Sequence, residues 1–121
     1  MVLGEHELAV ADLKEFLKSS PKDPDALREL GRCYLVLESE EEALEPLDAA
    51  LEMTASDPDT FYLRAVAHAK LGHREQALSD IKHAMSLVDP SAGNYELYSR
   101  FREALQAKEK IIPGWQPLNV L

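Results

Sequence analysis

The chain repeats itself at an interval of 34 residues. Asp23-Pro24-Asp25 returns as Asp57-Pro58-Asp59, and at the same offset Leu27 is answered by Phe61, Gly31 by Ala65, Leu37 by Leu71, Ala43 by Ala77, Leu47 by Ile81 and Ala50 by Ala84. Large residues fall on large and small on small. The pattern also runs backwards, with Ala9, Val10, Leu13 and Leu17 standing where Ala43, Leu44, Leu47 and Leu51 stand in the next copy, and more weakly forwards, from Phe61 to Tyr95 and from Leu71 to Leu105. A fixed period of this length means supersecondary units that cannot hide their apolar faces alone and stack to do so.

Within each copy the apolar residues recur at helical spacing, as in Leu27, Leu30, Tyr34 and Leu37, then Ala43, Leu44, Leu47, Ala50 and Leu51. Two helices per copy follow. Pro24 and Pro58 suit a first helical position, where the missing N–H is no loss, and Asp23 and Asp57 can cap the free N–H groups behind them. Asp25 and Asp59 add favourable charge at the same helix ends. Ser39-Glu40-Glu41-Glu42 reads as a capping box for a second helix, and Gly72 punctuates the matching turn of the next unit. Helices are expected near residues 4–18, 24–37, 40–54, 58–71, 74–87 and 93–109, with Val88 as a one-residue insertion that leaves the register of the last helix open by one.

These residues resemble the tetratricopeptide repeat family, whose unit is a 34-residue helix–turn–helix with a W-x₂-L-G-x₂-Y…A-x₃-F…P signature. Leu27, Leu30, Gly31, Tyr34, Ala43, Leu47 and Ala50 take the signature places in one unit, and Phe61, Ala65, Gly72, Ala77, Ile81 and Ala84 in the next; Arg64 and His68 depart from the Leu and Tyr expected there. The resemblance covers roughly residues 5–105. It implies an all-α fold, a right-handed α-solenoid of stacked antiparallel helix pairs. Full units would span 24–57 and 58–91, partial units 4–23 and 92–110, and an apolar tail 111–121. Small residues at Gly31, Ala43, Ala65 and Ala77 let paired helices cross closely, so Gly31→Leu should be severely destabilising. The outer helices should be polar on their free faces, and Arg100, Arg102, Glu103, Gln106, Lys108, Glu109 and Lys110 supply this for the last one.

Charge narrows the partners. A net charge of -9 repels nucleic acid and anionic membrane surfaces. Cys33, the one cysteine, allows no intramolecular disulfide and no thiolate zinc site, and fits a reducing compartment. Without a basic leader or a bilayer-length apolar run, the chain reads as soluble and cytoplasmic. His6, His68, His73 and His83 show no metalloprotease spacing, no glycine-rich phosphate loop is present, and no nucleophile–base arrangement can be read from residue order. No enzyme activity, cofactor or metal is therefore expected; His68 reads as a hydrogen-bonded structural residue and Cys33 as a small buried thiol.

The family resemblance implies that the first helix of each pair lines a concave groove. The repeat assigns Asp25, Arg28, Arg32 and Leu35 to that face, then Tyr62, Val66, Ala69 and Lys70, then Glu96, Arg100 and Glu103, while Glu38, Glu40, Glu41, Glu42 and Glu45 face away. On one reading Arg28, Arg32, Leu35, Tyr62, Val66, Lys70 and Arg100 receive an extended or helical peptide carrying acidic groups, with the arginines as donors and Tyr62 as an apolar platform. On the other, they are solvated helix-face residues paired with Asp25, Asp59, Glu96 and Glu103. The carboxylate clamp by which some relatives grip chaperone tails does not carry over: its lysine place holds Arg28, but its asparagine places hold Arg32 and Leu63, and its later cations fall near Gly93 and Leu97.

The tail KIIPGWQPLNVL offers a second surface through Trp115, Leu118, Val120 and Leu121. It either covers the stripe of the last helix pair or docks on a neighbour as a weak homodimer. The chain is thus expected to be an interaction module, adaptor or co-chaperone-like, for a protein or peptide partner, or else a structural module that self-assembles or caps a longer array through its last helix and Trp115.

Overall fold

The computed structural model describes residues 3–107, which form six helices: α1 (Glu5–Ser19), α2 (Pro24–Val36), α3 (Glu40–Met53), α4 (Pro58–Lys70), α5 (Arg74–Ser86) and α6 (Gly93–Gln106). Each helix lies within three residues of its expected bounds at either end. Trp115, Leu118, Val120 and Leu121, and Lys108, Glu109 and Lys110 with them, lie outside the described residues.

The doubled triplet starts α2 and α4, with Pro24 and Pro58 in the first turn. Asp23 accepts from the Ala26 N–H at 3.0 Å and Asp57 from the Asp59 N–H at 3.1 Å, each relieving one orphan donor. Asp57 does more than cap. Its other oxygen accepts from the Thr60 hydroxyl at 2.7 Å and from Arg28 Nη1 at 2.9 Å, tying the start of α4 to the side of α2.

The two interior turns share one backbone solution. The Glu38 N–H donates to Leu35 O and the Ser39 N–H to Tyr34 O, while Gly72 donates to Ala69 O and His73 to His68 O. This is the paired-bond helix ending that needs a left-handed residue, supplied by Glu38 at φ 59° and Gly72 at φ 83°. It also corrects the capping box. The Ser39 side chain makes no capping bond, and its N–H, which Glu42 would have to receive, is already donated to Tyr34 O at 2.8 Å.

The core lies between the helix layers: Leu35, Leu47, Leu63, Val66, Ile81, Tyr62 and Tyr98 are at most 1% exposed. Ala43, Ala65 and Ala77 are fully buried and let helices approach. At Gly31 the space is tighter still, since a Cβ there would stand 2.5 Å from both Cγ and Cδ2 of Leu47. Helices α2 with α3 and α4 with α5 form the two full pairs; α1 packs on α2, α3 on α4 and α5 on α6, the order of a solenoid. Helix α6 begins 35 residues after α4 (93 − 58), which settles the open register: Val88 is an insertion in the connecting segment.

The two outer helices differ. Arg74 Nε and Nη2 donate to the Leu105 and Gln106 carbonyls at 2.5 and 3.0 Å, holding the end of α6. Helix α1 buries no residue fully, and Leu8 and Phe16 on it are about half exposed, as is Leu3 just before it. The free face of α1 is therefore mixed, with Leu8 and Phe16 exposed among Glu5, Glu7, Asp12, Glu15 and Lys18. Phe16 occupies the place of Ala50 and Ala84, which are 2% and 0% exposed.

Candidate peptide-binding face

Helices α2, α4 and α6 lie side by side. Arg28 links α2 to α4 through Asp57. The Tyr98 hydroxyl of α6 donates to Asp59 of α4 and accepts from Asn94 Nδ2 at 3.3 Å, and the Tyr62 ring packs on Tyr98 and Phe101 with centroids 5.2 and 5.7 Å away. Such ring pairs add about 0.5–1.5 kcal/mol beyond area burial.

That packing corrects part of the expected site. Leu35 and Tyr62 are fully buried and Val66 is 1% exposed, so none of them offers an open platform. Burial, with the Asp59 carboxylate alongside, raises the Tyr62 phenol above its usual range and keeps it protonated. Arg100 is displaced too. It stands two residues from buried Tyr98, which at about 100° per residue is nearly the opposite side of α6. There it pairs with Glu96 at 2.9 Å, both side chains more than 70% exposed. Arg100, Glu96 and Glu103 belong to the solvated outer face because no second helix follows to cover it among the described residues.

Arg28 and Arg32 remain on the face between α2 and α4, one helical turn apart and each about a quarter exposed. Both are matched by carboxylates. Arg28 approaches Asp25 at 3.4 Å and Glu29 at 3.6 Å besides its bond to Asp57, and Arg32 approaches Glu29 at 3.4 Å. Two cations against Asp25, Glu29 and Asp57 leave a net of about -1, so this is no electropositive trough. Yet Nε of each arginine is buried without a hydrogen-bond acceptor. Asp57 is held ionised: burial alone would raise its pKa, but the bonds from Thr60 and Arg28 outweigh that and lower it. Lys70, two turns after Tyr62 on the same stripe of α4, is half-buried at the end of the face.

A polar cluster that sequence reasoning missed sits on the far side of α4. Arg64 grips Asp80 of α5 with two bonds of 2.8 Å, from Nε and Nη2, and reaches Asp48 of α3 at 2.9 Å. His68 Nδ1 lies 3.0 Å from His73 Nδ1. Burial lowers the His68 pKa, with neighbouring charges acting in both directions. The signal was the departure of Arg64 and His68 from the signature. The first unit has Leu30, Tyr34, Ser39 and Pro46 where the second has Arg64, His68, His73 and Asp80, so all four exchanges fall in one place. Cys33 is buried, and burial raises its thiol pKa.

A profile of the tetratricopeptide repeat family matches residues 1–58. Human sperm-associated antigen 1 is 34% identical over 83 residues, which is 69% of this chain but only 9% of that protein. Among solved structures, PcrH in complex with the chaperone binding region of PopD superposes with a TM-score of 0.79 over 87% of this chain and 81% of that one, at 22% identity. MamA gives a TM-score of 0.68 over 89% and 71%, at 16% identity. At such identities the two structures speak for the fold alone. With the 34-residue period, the close helix crossings and the stacking of helix pairs, these likenesses place the chain in the tetratricopeptide repeat family.

Proposed function

We propose that the chain is a protein–protein interaction module, an adaptor or co-chaperone-like scaffold, that binds a peptide segment along the face formed by α2 and α4. The observation that carries this reading is the pair of buried Nε–H donors on Arg28 and Arg32, one turn apart: neither has an acceptor within hydrogen-bond distance, and Arg28 Nε meets only the Glu29 carboxylate at 3.6 Å. A buried unmet donor costs about 1–3 kcal/mol. A peptide carboxylate or main-chain carbonyl set between the two arginines would supply the acceptors, displacing the loose Glu29 contacts at 3.4 and 3.6 Å. Lys70 adds a cation at the other end. An acidic segment fits this donor set, although the matched carboxylates around it favour one or two acidic groups over a long acidic run. PcrH, a protein of similar fold whose structure holds the chaperone binding region of PopD, supports a peptide partner.

Affinity capture from the native source with the whole chain, against an Arg28→Glu/Arg32→Glu variant, tests the reading. The partner should be lost from the variant, and its retention should weaken as salt rises past the screening range. Identical partners on both baits would remove the basis for it.

A second reading is favoured by α1. Its half-exposed Leu8 and Phe16 are what a stacked unit leaves uncovered, which supports a module that continues a longer array or joins copies, with Trp115, Leu118 and Leu121 of the tail as the further surface. Light scattering separates the two: Leu8→Glu/Phe16→Glu should abolish an oligomer and leave peptide capture unchanged.

A further inference from the structure

The cluster behind α4 contains an arrangement that a structural role does not require. His68 ends a turn of α4 and is half-buried; His73 is exposed and caps α5 from the other side of the tight connection. Their separation is set by the backbone, because the His73 N–H donates to the His68 carbonyl at 2.7 Å and Gly72 closes the turn in the left-handed conformation. The rings are tilted by 47° with centroids 5.3 Å apart, and the two Nδ1 atoms face each other at 3.0 Å. Two neutral imidazoles in that position share one proton between two lone pairs.

A metal ion can take that proton's place. With metal–nitrogen bonds of about 2.0–2.1 Å, two nitrogens at a right angle stand about 2.9 Å apart, whereas a tetrahedral pair stands about 3.3 Å apart. The observed 3.0 Å, which is also an ordinary length for a shared-proton bond, lies nearer the right-angled pair. Asp80 and Asp48 act on His68 in favour of positive charge and Arg64 against it, a formal sum of -1 around that ring. Among the described residues no group of three or more His, Cys, Asp or Glu stands ready to hold a metal, so water would fill the other positions. We propose that His68 and His73 form a surface chelate for a tetragonal divalent ion, copper(II) or nickel(II), bound through both Nδ1 atoms. The ion would staple α4 to α5 across their turn. The first unit, with Tyr34 and Ser39 in these places, could not do this.

The experiment is a copper(II) titration of the full chain, free of any histidine tag, followed by calorimetry and electron paramagnetic resonance. The expected result is one tight equivalent with a tetragonal spectrum split by two nitrogens. His73→Ala, at an exposed position, should weaken binding at least tenfold and leave one-nitrogen splitting, while His83→Ala should bind like the wild type. Circular dichroism confirms that each variant is folded, and His68→Gln provides a second variant on the opposite ligand. Wild-type affinity in His73→Ala or His68→Gln, or the absence of a two-nitrogen signal in the parent, would overturn the proposal.

Discussion

Arg64→Leu puts into the second unit the residue that the first unit carries at Leu30, and by pattern alone it should improve the repeat. The structure predicts the reverse. Arg64 supplies two 2.8 Å bonds to Asp80, whose side chain is only 8% exposed, and one of 2.9 Å to Asp48, which is 56% exposed. Removing one partner of a buried ion pair costs about 3–5 kcal/mol, because the other charge is left without compensation. Arg64 is itself a quarter exposed, so water softens the loss and the lower end, about 3 kcal/mol, applies. That is a large part of the 5–15 kcal/mol typical of a whole domain. Asp48→Ala should cost no more than about 1 kcal/mol, as exposed pairs do. Arg64→Leu/Asp80→Leu replaces the pair with apolar bulk and should recover at least about 2 kcal/mol of the single variant's loss. Urea denaturation at neutral pH, followed by far-ultraviolet circular dichroism, reads all four chains. A loss below about 1 kcal/mol for Arg64→Leu, or a double variant no more stable than the single, would mean that Asp80 is not left as an uncompensated buried charge.

Three further outcomes are expected. Gly31→Ala gains about 1 kcal/mol of helix propensity, yet its Cβ would meet Leu47 Cγ at 2.5 Å in a filled core; with overpacking at about 1–3 kcal/mol, thermal melting should show a net loss of up to about 2 kcal/mol, eased by adding Leu47→Ile to copy the second unit. Glu38→Gly releases a side chain from φ 59° and should raise stability by about 0.5–1 kcal/mol in the same assay. For pH, the folded-state pKa of Asp57 lies below its unfolded value of about 3.9. The unfolded chain therefore takes up the proton first on acidification, and the stabilisation is present above about pH 4 and lost as pH falls from there; Asp57→Asn should flatten that acid limb of the denaturation midpoint.

The repeat made the helices legible because period, proline position and small residues are local signals that stacking reinforces. Asp23 and Asp57 capped as their spacing implied, and Gly72 turned the chain. Contacts that cross between helices left no such trace. Nothing near Arg74 in sequence announces the α6 carbonyls it holds, and nothing beside Tyr98 announces Asp59. The repeat locates Tyr62 on the stripe of α4 that it occupies but not its burial, since the ring is covered by α6, whose register the insertion at Val88 conceals. Arg100 slipped out of the face for the same reason. Ser39 satisfies the capping motif as letters, yet the left-handed Glu38 before it commits its N–H to Tyr34. The histidine pair has no helical ligand spacing because it is formed across a turn.

Nuclear magnetic resonance reads out whether the side-by-side first helices receive a peptide at Arg28 and Arg32. Amide shifts of the labelled chain would be followed on titration with a segment of the captured partner. Perturbations should concentrate at residues 25–36 of α2 and 59–70 of α4 and be abolished by Arg28→Glu/Arg32→Glu. Perturbations centred on α1, or on the outward faces of α3 and α5, would rule out binding at the two arginines.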